Sequence, residues 1–159
     1  MEMKKSDRAI SVLIIDDEIA FCNHIKSTLG DNIDNILVEL VHESARAINR
    51  IKEKKYDLLI TDLKMPGVNG KKLIQSIAEI PEEKHHYNIL LLSELLTIDN
   101  AHQSIKKVNY MSKPVKTDDL LNYLKRVIDN LSNPKTPSLV KEIEDGLLVE
   151  LEKHIKDIF

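Results

Sequence analysis

At 159 residues the chain is long enough for one domain with a sizeable core and a short appendage. Aromatics make up only 4% and Trp is absent, so the core must be aliphatic; a net charge of −3 excludes the basic footprint of a nucleic-acid-binding domain, and no nucleic-acid partner is expected of this chain alone. The single cysteine, Cys22, excludes an internal disulfide, and no apolar run is long enough to cross a membrane.

From the amino end, Met1 to Arg8 is polar and lacks the apolar stretch of a signal peptide, which makes the cytoplasm the expected location. Ile10 to Ile15 is a continuous β-branched and Leu run, as in a strand buried on both faces. Phe21, Cys22, Ile25 and Leu29 recur at helical spacing, with Gly30 as the expected stop and Cys22 as a buried structural thiol. Ile36 to Val41 reads as a second strand, followed by a helix marked by Ala45, Ile48 and Ile51 and entered through Ser44. Leu58 to Thr61 is the third strand. Asn69 is placed to cap a helix carrying Leu73, Ile74 and Ile77, which ends before Pro81. Ile89 to Leu92 is the fourth strand, and Ile98, Ala101, Ile105 and Val108 mark a fourth helix. Val108 to Met111 is a short fifth strand. Thr117 caps a last helix of this series, whose stripe is Leu120, Leu121, Leu124, Val127, Ile128 and Leu131 and whose first turn holds Asp118 and Asp119, favourable for the helix dipole.

Five βα units in succession predict an α/β domain with a doubly wound parallel sheet, right-handed crossovers and helices on both faces, over residues 1–131. A linker, residues 132–137, contains Pro134 and Pro137. Beyond it Val140, Ile143, Leu147, Leu151, Ile155 and Ile158 predict an extra C-terminal amphipathic helix over 138–159 with six acids against three lysines. Its apolar stripe needs a partner, and a second copy of the chain is the favoured one.

The strand ends carry the chemistry. Asp16-Asp17 close the first run, Asp62 the third, Ser93 the fourth, and Lys113-Pro114 follow the fifth. In an open parallel α/β sheet those ends gather in one crevice, where ligands bind. Three carboxylates there suit a hard divalent cation, with Mg²⁺ the best match to oxygen ligands. A hydroxyl and an ammonium beside them suit a phosphoryl group, which a carboxylate oxygen can accept as nucleophile. Taken singly, each has a structural reading: helix cap for Asp16-Asp17, turn cap for Asp62, core packing for Tyr110, solvated surface for Lys113.

Taken together, "LIIDDE", "LLITDLKMPGVNG", "LLLS" and "NYMSKP" resemble a response-regulator receiver domain of two-component systems, over about Ile10 to Asn130. The resemblance implies a flavodoxin-like sheet in the order 2-1-3-4-5. It implies Asp62 as phosphoacceptor, and Mg²⁺ held directly by Asp17, by Asp62 and by the backbone carbonyl of Lys64, with Asp16 acting through water or by orienting Asp17. It also implies Lys113 on the phosphoryl group, Ser93 and Tyr110 as a switch pair, and a histidine kinase or phosphotransfer protein as partner. Enzymatic activity would be limited to self-phosphorylation and self-dephosphorylation, with output through an unknown downstream protein. Three features depart from the family pattern: Glu94 after Ser93 in place of a small residue, a segment from Ser93 to Lys113 about two residues short, and Lys64 as a long cation two residues past the acceptor. Glu94 and the shortened segment leave open a phosphorylation-independent scaffold or dimerisation module, and Lys64 implies a changed phosphate lifetime. A haloacid-dehalogenase-like phosphatase fits less well, because Asp16-Asp17-Glu18 is not its Asp-x-Asp. His85, His86, His102 and His154 show no metal-ligand spacing.

Overall fold

The computed structural model describes residues 8–62, 65, 70–81, 88–93 and 108–132. Within them five strands, β1 (Ile10–Ile15), β2 (Ile36–Val41), β3 (Leu58–Asp62), β4 (Asn88–Ser93) and β5 (Val108–Ser112), alternate with helices α1 (Ile19–Asn32), α2 (Ser44–Glu53), α3 (Gly70–Ala78) and α4 (Thr117–Ser132). All strand pairs are parallel, and the sheet order is β2-β1-β3-β4-β5. The expected helix around Ile98 to Ile105, the Asn69 cap, residues 133–137 of the linker and the helix over 138–159 lie outside the described residues.

Strand periodicity sorts the core into two layers. Leu13 and Ile15 of β1, with Leu59, Ile89 and Leu91, face a cluster closed by Ala47 and Ile51 of α2 and Leu73 and Ile77 of α3. Val12 and Ile14, with Ile60, Leu90 and Leu92, face a cluster closed by Cys22, Ile25 and Leu29 of α1 and Leu120, Leu124 and Val127 of α4. Both faces of β1, β3 and β4 are thus dry, which is why these strands read as unbroken apolar runs. Truncating one such side chain to Ala would cost about 2–5 kcal/mol.

Local details differ from the sequence reading, each for a visible reason. Gly30 does not stop α1, which runs to Asn32: Leu29 is fully buried, Asn32 Nδ2 donates to the Thr28 carbonyl at 2.8 Å and the Ile33 amide to the Leu29 carbonyl at 2.9 Å. The chain reverses instead at Asn35, which takes φ 61°, a left-handed conformation that Asn tolerates better than most residues. In α2 the inward stripe is Ser44, Ala47, Ile48 and Ile51; Ala45 faces solvent, and the residue before the helix is Glu43. Val108 belongs to β5, not to a helix. In α4 the stripe gains Tyr123, whose hydroxyl accepts a hydrogen bond from Asn109 Nδ2 at 3.0 Å.

Candidate functional site

Strands β1 and β3 are neighbours, and the chain leaves them toward opposite faces of the sheet, so the crevice of the doubly wound fold opens at their carboxyl ends. Asp16 and Asp17 follow β1, and Asp62 is the last residue of β3. Their carboxylate oxygens lie within 4.8 Å of one another. Asp16 is buried at 1% exposure, Asp62 is buried and Asp17 is exposed.

Lys113, just past β5, reaches across the sheet end. Its Nζ donates to Asp16 Oδ2 and to Asp62 Oδ2, each at 2.9 Å, and lies 4.8 Å from the centre of the Phe21 ring. Burial alone would lower the lysine's pKa, but the hydrogen bonds to Asp16 and Asp62 and their negative charges outweigh it and hold the ammonium above its ordinary value. The peptide bond from Lys113 to Pro114 is cis.

Asp16 is held on every polar atom. Its amide donates to the Val41 carbonyl at 3.2 Å and its Oδ1 accepts the Glu18 amide at 2.9 Å. Its carbonyl meets His42 Nδ1 at 2.9 Å and Cys22 Sγ at 3.4 Å. Burial, reinforced by the Asp16 charge, pushes the Cys22 thiol up to about 11, so this cysteine stays a protonated, structural group as its place on the helix stripe implies. His42, Cys22 and Phe21 were not legible as site residues in the motif. The usable signal for His42 was order: once β2 flanks β1, the residue after Val41 must lie beside Asp16.

The other expected site residues divide. Tyr110 on β5 is half-buried against the α2–α3 side of the core, and burial pushes its phenol up to about 12. Ser93 ends β4 in register with Ser112, but its side chain lies outside the described residues, as do Lys64 and Glu94.

The trio fits a hard cation. Ligand oxygens around one Mg²⁺ lie about 3–4 Å apart, which three carboxylates within 4.8 Å can meet with a small inward shift or through a water. Among the described residues one ammonium meets three carboxylates, a negative surplus that a divalent ion would offset.

Residues 12–125 match the model of the response regulator receiver domain. Among curated proteins, the chain is 25% identical over 117 residues to the transcriptional regulatory protein ZraR of Klebsiella oxytoca, covering 72% of this chain and 25% of that one. It is 27% identical over 127 residues to the signal transduction histidine-protein kinase BarA of Shigella flexneri, covering 77% and 13%. The chain thus spans about a quarter or less of the length of these relatives. Among solved structures, the chemotaxis response regulator CheY4 of Vibrio cholerae superposes with a TM-score of 0.65 at 23% identity, over 75% of this chain and 98% of that one. A two-component response regulator from Clostridium difficile gives 0.65 at 23%, over 78% and 99%. Among the described residues no helix is long and apolar enough to cross a membrane. The family match spans most of the sheet and all of the acidic crevice, and on it the chain belongs to the response-regulator receiver family.

Proposed function

We propose that this chain is a phosphorylation-controlled signalling switch: Asp62 accepts a phosphoryl group from a histidine kinase or phosphotransfer protein, and the output is protein–protein interaction. The observation that carries this reading is the convergence of Asp16, Asp17 and Asp62 within 4.8 Å, with the Lys113 ammonium between two of them. Asp17 and Asp62, with Asp16 and the Lys64 carbonyl, would hold Mg²⁺. When bound, the ion would offset the charge on the phosphoryl oxygens and on the carboxylates around them.

The chain's own groups supply the rest. An Asp62 oxygen forms the new bond to phosphorus while the donor's imidazole leaves with the electron pair of the broken P–N bond. Lys113 then stabilises phosphoryl oxygen charge, aided by the cation-holding environment that keeps it protonated. Water later attacks phosphorus and returns the carboxylate. Ser93 and Tyr110 are assigned as the switch pair, Ser93 toward the phosphoryl group and Tyr110 behind it. A cytoplasmic site of action and self-association through residues 138–159 complete the reading.

Incubation with Mg²⁺ and phosphoramidate, followed by intact mass, tests it. The native chain should gain one labile phosphoryl group, and Asp62→Asn none. No gain by a folded native chain that does bind a partner would favour the phosphate-independent scaffold instead.

A further inference from the structure

We propose that His42 is a positioning residue for the cation site, holding the peptide between Asp16 and Asp17 through a hydrogen bond to the Asp16 carbonyl. The proposal rests on the reading of the site given above and adds a residue from a neighbouring strand end to it.

The geometry begins with the sheet. Strands β1 and β2 pair in register up to Ile15 and Val41, and the ladder continues one bond further, from the Asp16 amide to the Val41 carbonyl. In a continued parallel ladder the next bond would run from the Glu43 amide to the Asp16 carbonyl. Here the chain turns away into α2 at Ser44, and the donor to that carbonyl is a side chain, His42 Nδ1 at 2.9 Å. A carbonyl has no proton to give, so the proton of this bond sits on Nδ1. Cys22 Sγ, at 3.4 Å, is a weak second donor to the same oxygen.

That carbonyl belongs to the peptide unit joining Asp16 to Asp17. Fixing its direction fixes the amide plane from which Asp17 departs. Asp16 needs little help, since its carboxylate is already held by Lys113 and the Glu18 amide. Asp17 is exposed and adjoins the plane that His42 holds, so its position in the acidic trio is the quantity His42 controls. Hydrogen bonds of this kind, one step behind the ligands, typically change metal affinity by about 10–100-fold. A bond to the peptide rather than to a ligand atom belongs at the lower end.

Paired substitutions separate the donor from the ring. His42→Phe keeps the ring and removes the N–H; His42→Asn removes the ring and keeps a donor at nearly the same place. Mg²⁺ affinity by calorimetry should fall about tenfold in His42→Phe and stay within about twofold in His42→Asn. Phosphorylation by phosphoramidate should need more Mg²⁺ for half its maximal rate in His42→Phe, with the rate at saturating Mg²⁺ nearly native. His42→Ala, which lacks both ring and donor, should follow His42→Phe and supplies the comparison if the Phe variant does not fold. Native affinity in His42→Phe or His42→Ala would overturn the proposal, as would equal loss in His42→Asn. If the native chain itself neither binds Mg²⁺ nor takes up a phosphoryl group, the reading of the site falls, and this proposal with it.

Discussion

The two ends of the β1–β3 pair each bury a carboxylate beside a cation, and they do opposite things with it. At the amino end Asp57 pairs with the Arg8 guanidinium, and its other oxygen accepts the Ser11 amide at 2.9 Å and the Ser11 hydroxyl at 3.2 Å. Its own amide returns a bond to the Ser11 carbonyl at 2.8 Å. The Arg8 ion pair and the Ser11 bonds stitch the strands together at this end. At the carboxyl end three carboxylates converge, and among the described residues Lys113 pairs with two of them. Among the described residues, Asp57 has a guanidinium beside it, while the carboxyl end gathers more carboxylates than ammonium groups. Burial and ion pairing are common to both; the convergence of three carboxylates at one end is what distinguishes a candidate cation site from a clasp.

The largest expected effect that breaks or sharpens this comparison is on chemistry. Lys113→Ala should slow phosphoryl uptake from phosphoramidate by about a hundredfold, because a preorganised donor to the phosphoryl oxygens is lost. The time course of intact mass, with a circular dichroism spectrum to verify folding, measures it. The next effect is on stability. Asp57→Ala should lower the free energy of unfolding by about 1–3 kcal/mol, since the Ser11 amide and hydroxyl lose their acceptor, while Mg²⁺ affinity changes less than about twofold. Urea unfolding and calorimetry on the same variant read both numbers; a large fall in Mg²⁺ affinity would mean the two ends are coupled.

The smallest effect concerns a carboxylate at neither end, Glu39 on β2. Burial alone would raise its pKa, but hydrogen bonds from Tyr56 at 2.8 Å and Lys54 at 3.2 Å, with the charges of Lys54 and Arg50, outweigh it and hold the carboxyl below its ordinary value. A depressed carboxylate stabilises the fold above its unfolded pKa and loses that contribution as pH falls through the folded one. Native stability should therefore decline in the acid range by somewhat more than that of Glu39→Gln, the difference being under about 1 kcal/mol for a partly solvated group. Urea midpoints between neutral pH and about pH 4 check it.

The fold was legible because its signals are local. Unbroken aliphatic runs such as Ile10–Ile15 and Leu58–Ile60 announce strands covered on both faces, and stripes such as Leu120–Leu124–Val127 announce their covers. The acidic residues were legible because strand ends in this architecture share one crevice. What escaped was set by cross-strand proximity. No motif marks His42 or Phe21 as neighbours of the crevice, Phe21 reading only as part of a helical stripe; they come there because β2 lies beside β1 and because Lys113 arrives from β5 over the first turns of α1. Gly30 misled because helix-stop propensity yields to a buried Leu29 and a closing bond from Ile33.

Strand β2 lies at the margin of the sheet, and Leu37 on it is 61% exposed. Its sequence, ILVELV, is a six-residue segment of high β propensity with one charge, Glu39. Among the described residues no strand pairs with its outer edge; such an edge can act as a template for further strands, and a charge within it discourages stacking. Glu39 draws Arg50 and Lys54 over that margin as well. A charged residue at this position thus makes the edge a poorer template for adding strands, a consequence separate from its modest share in folding stability.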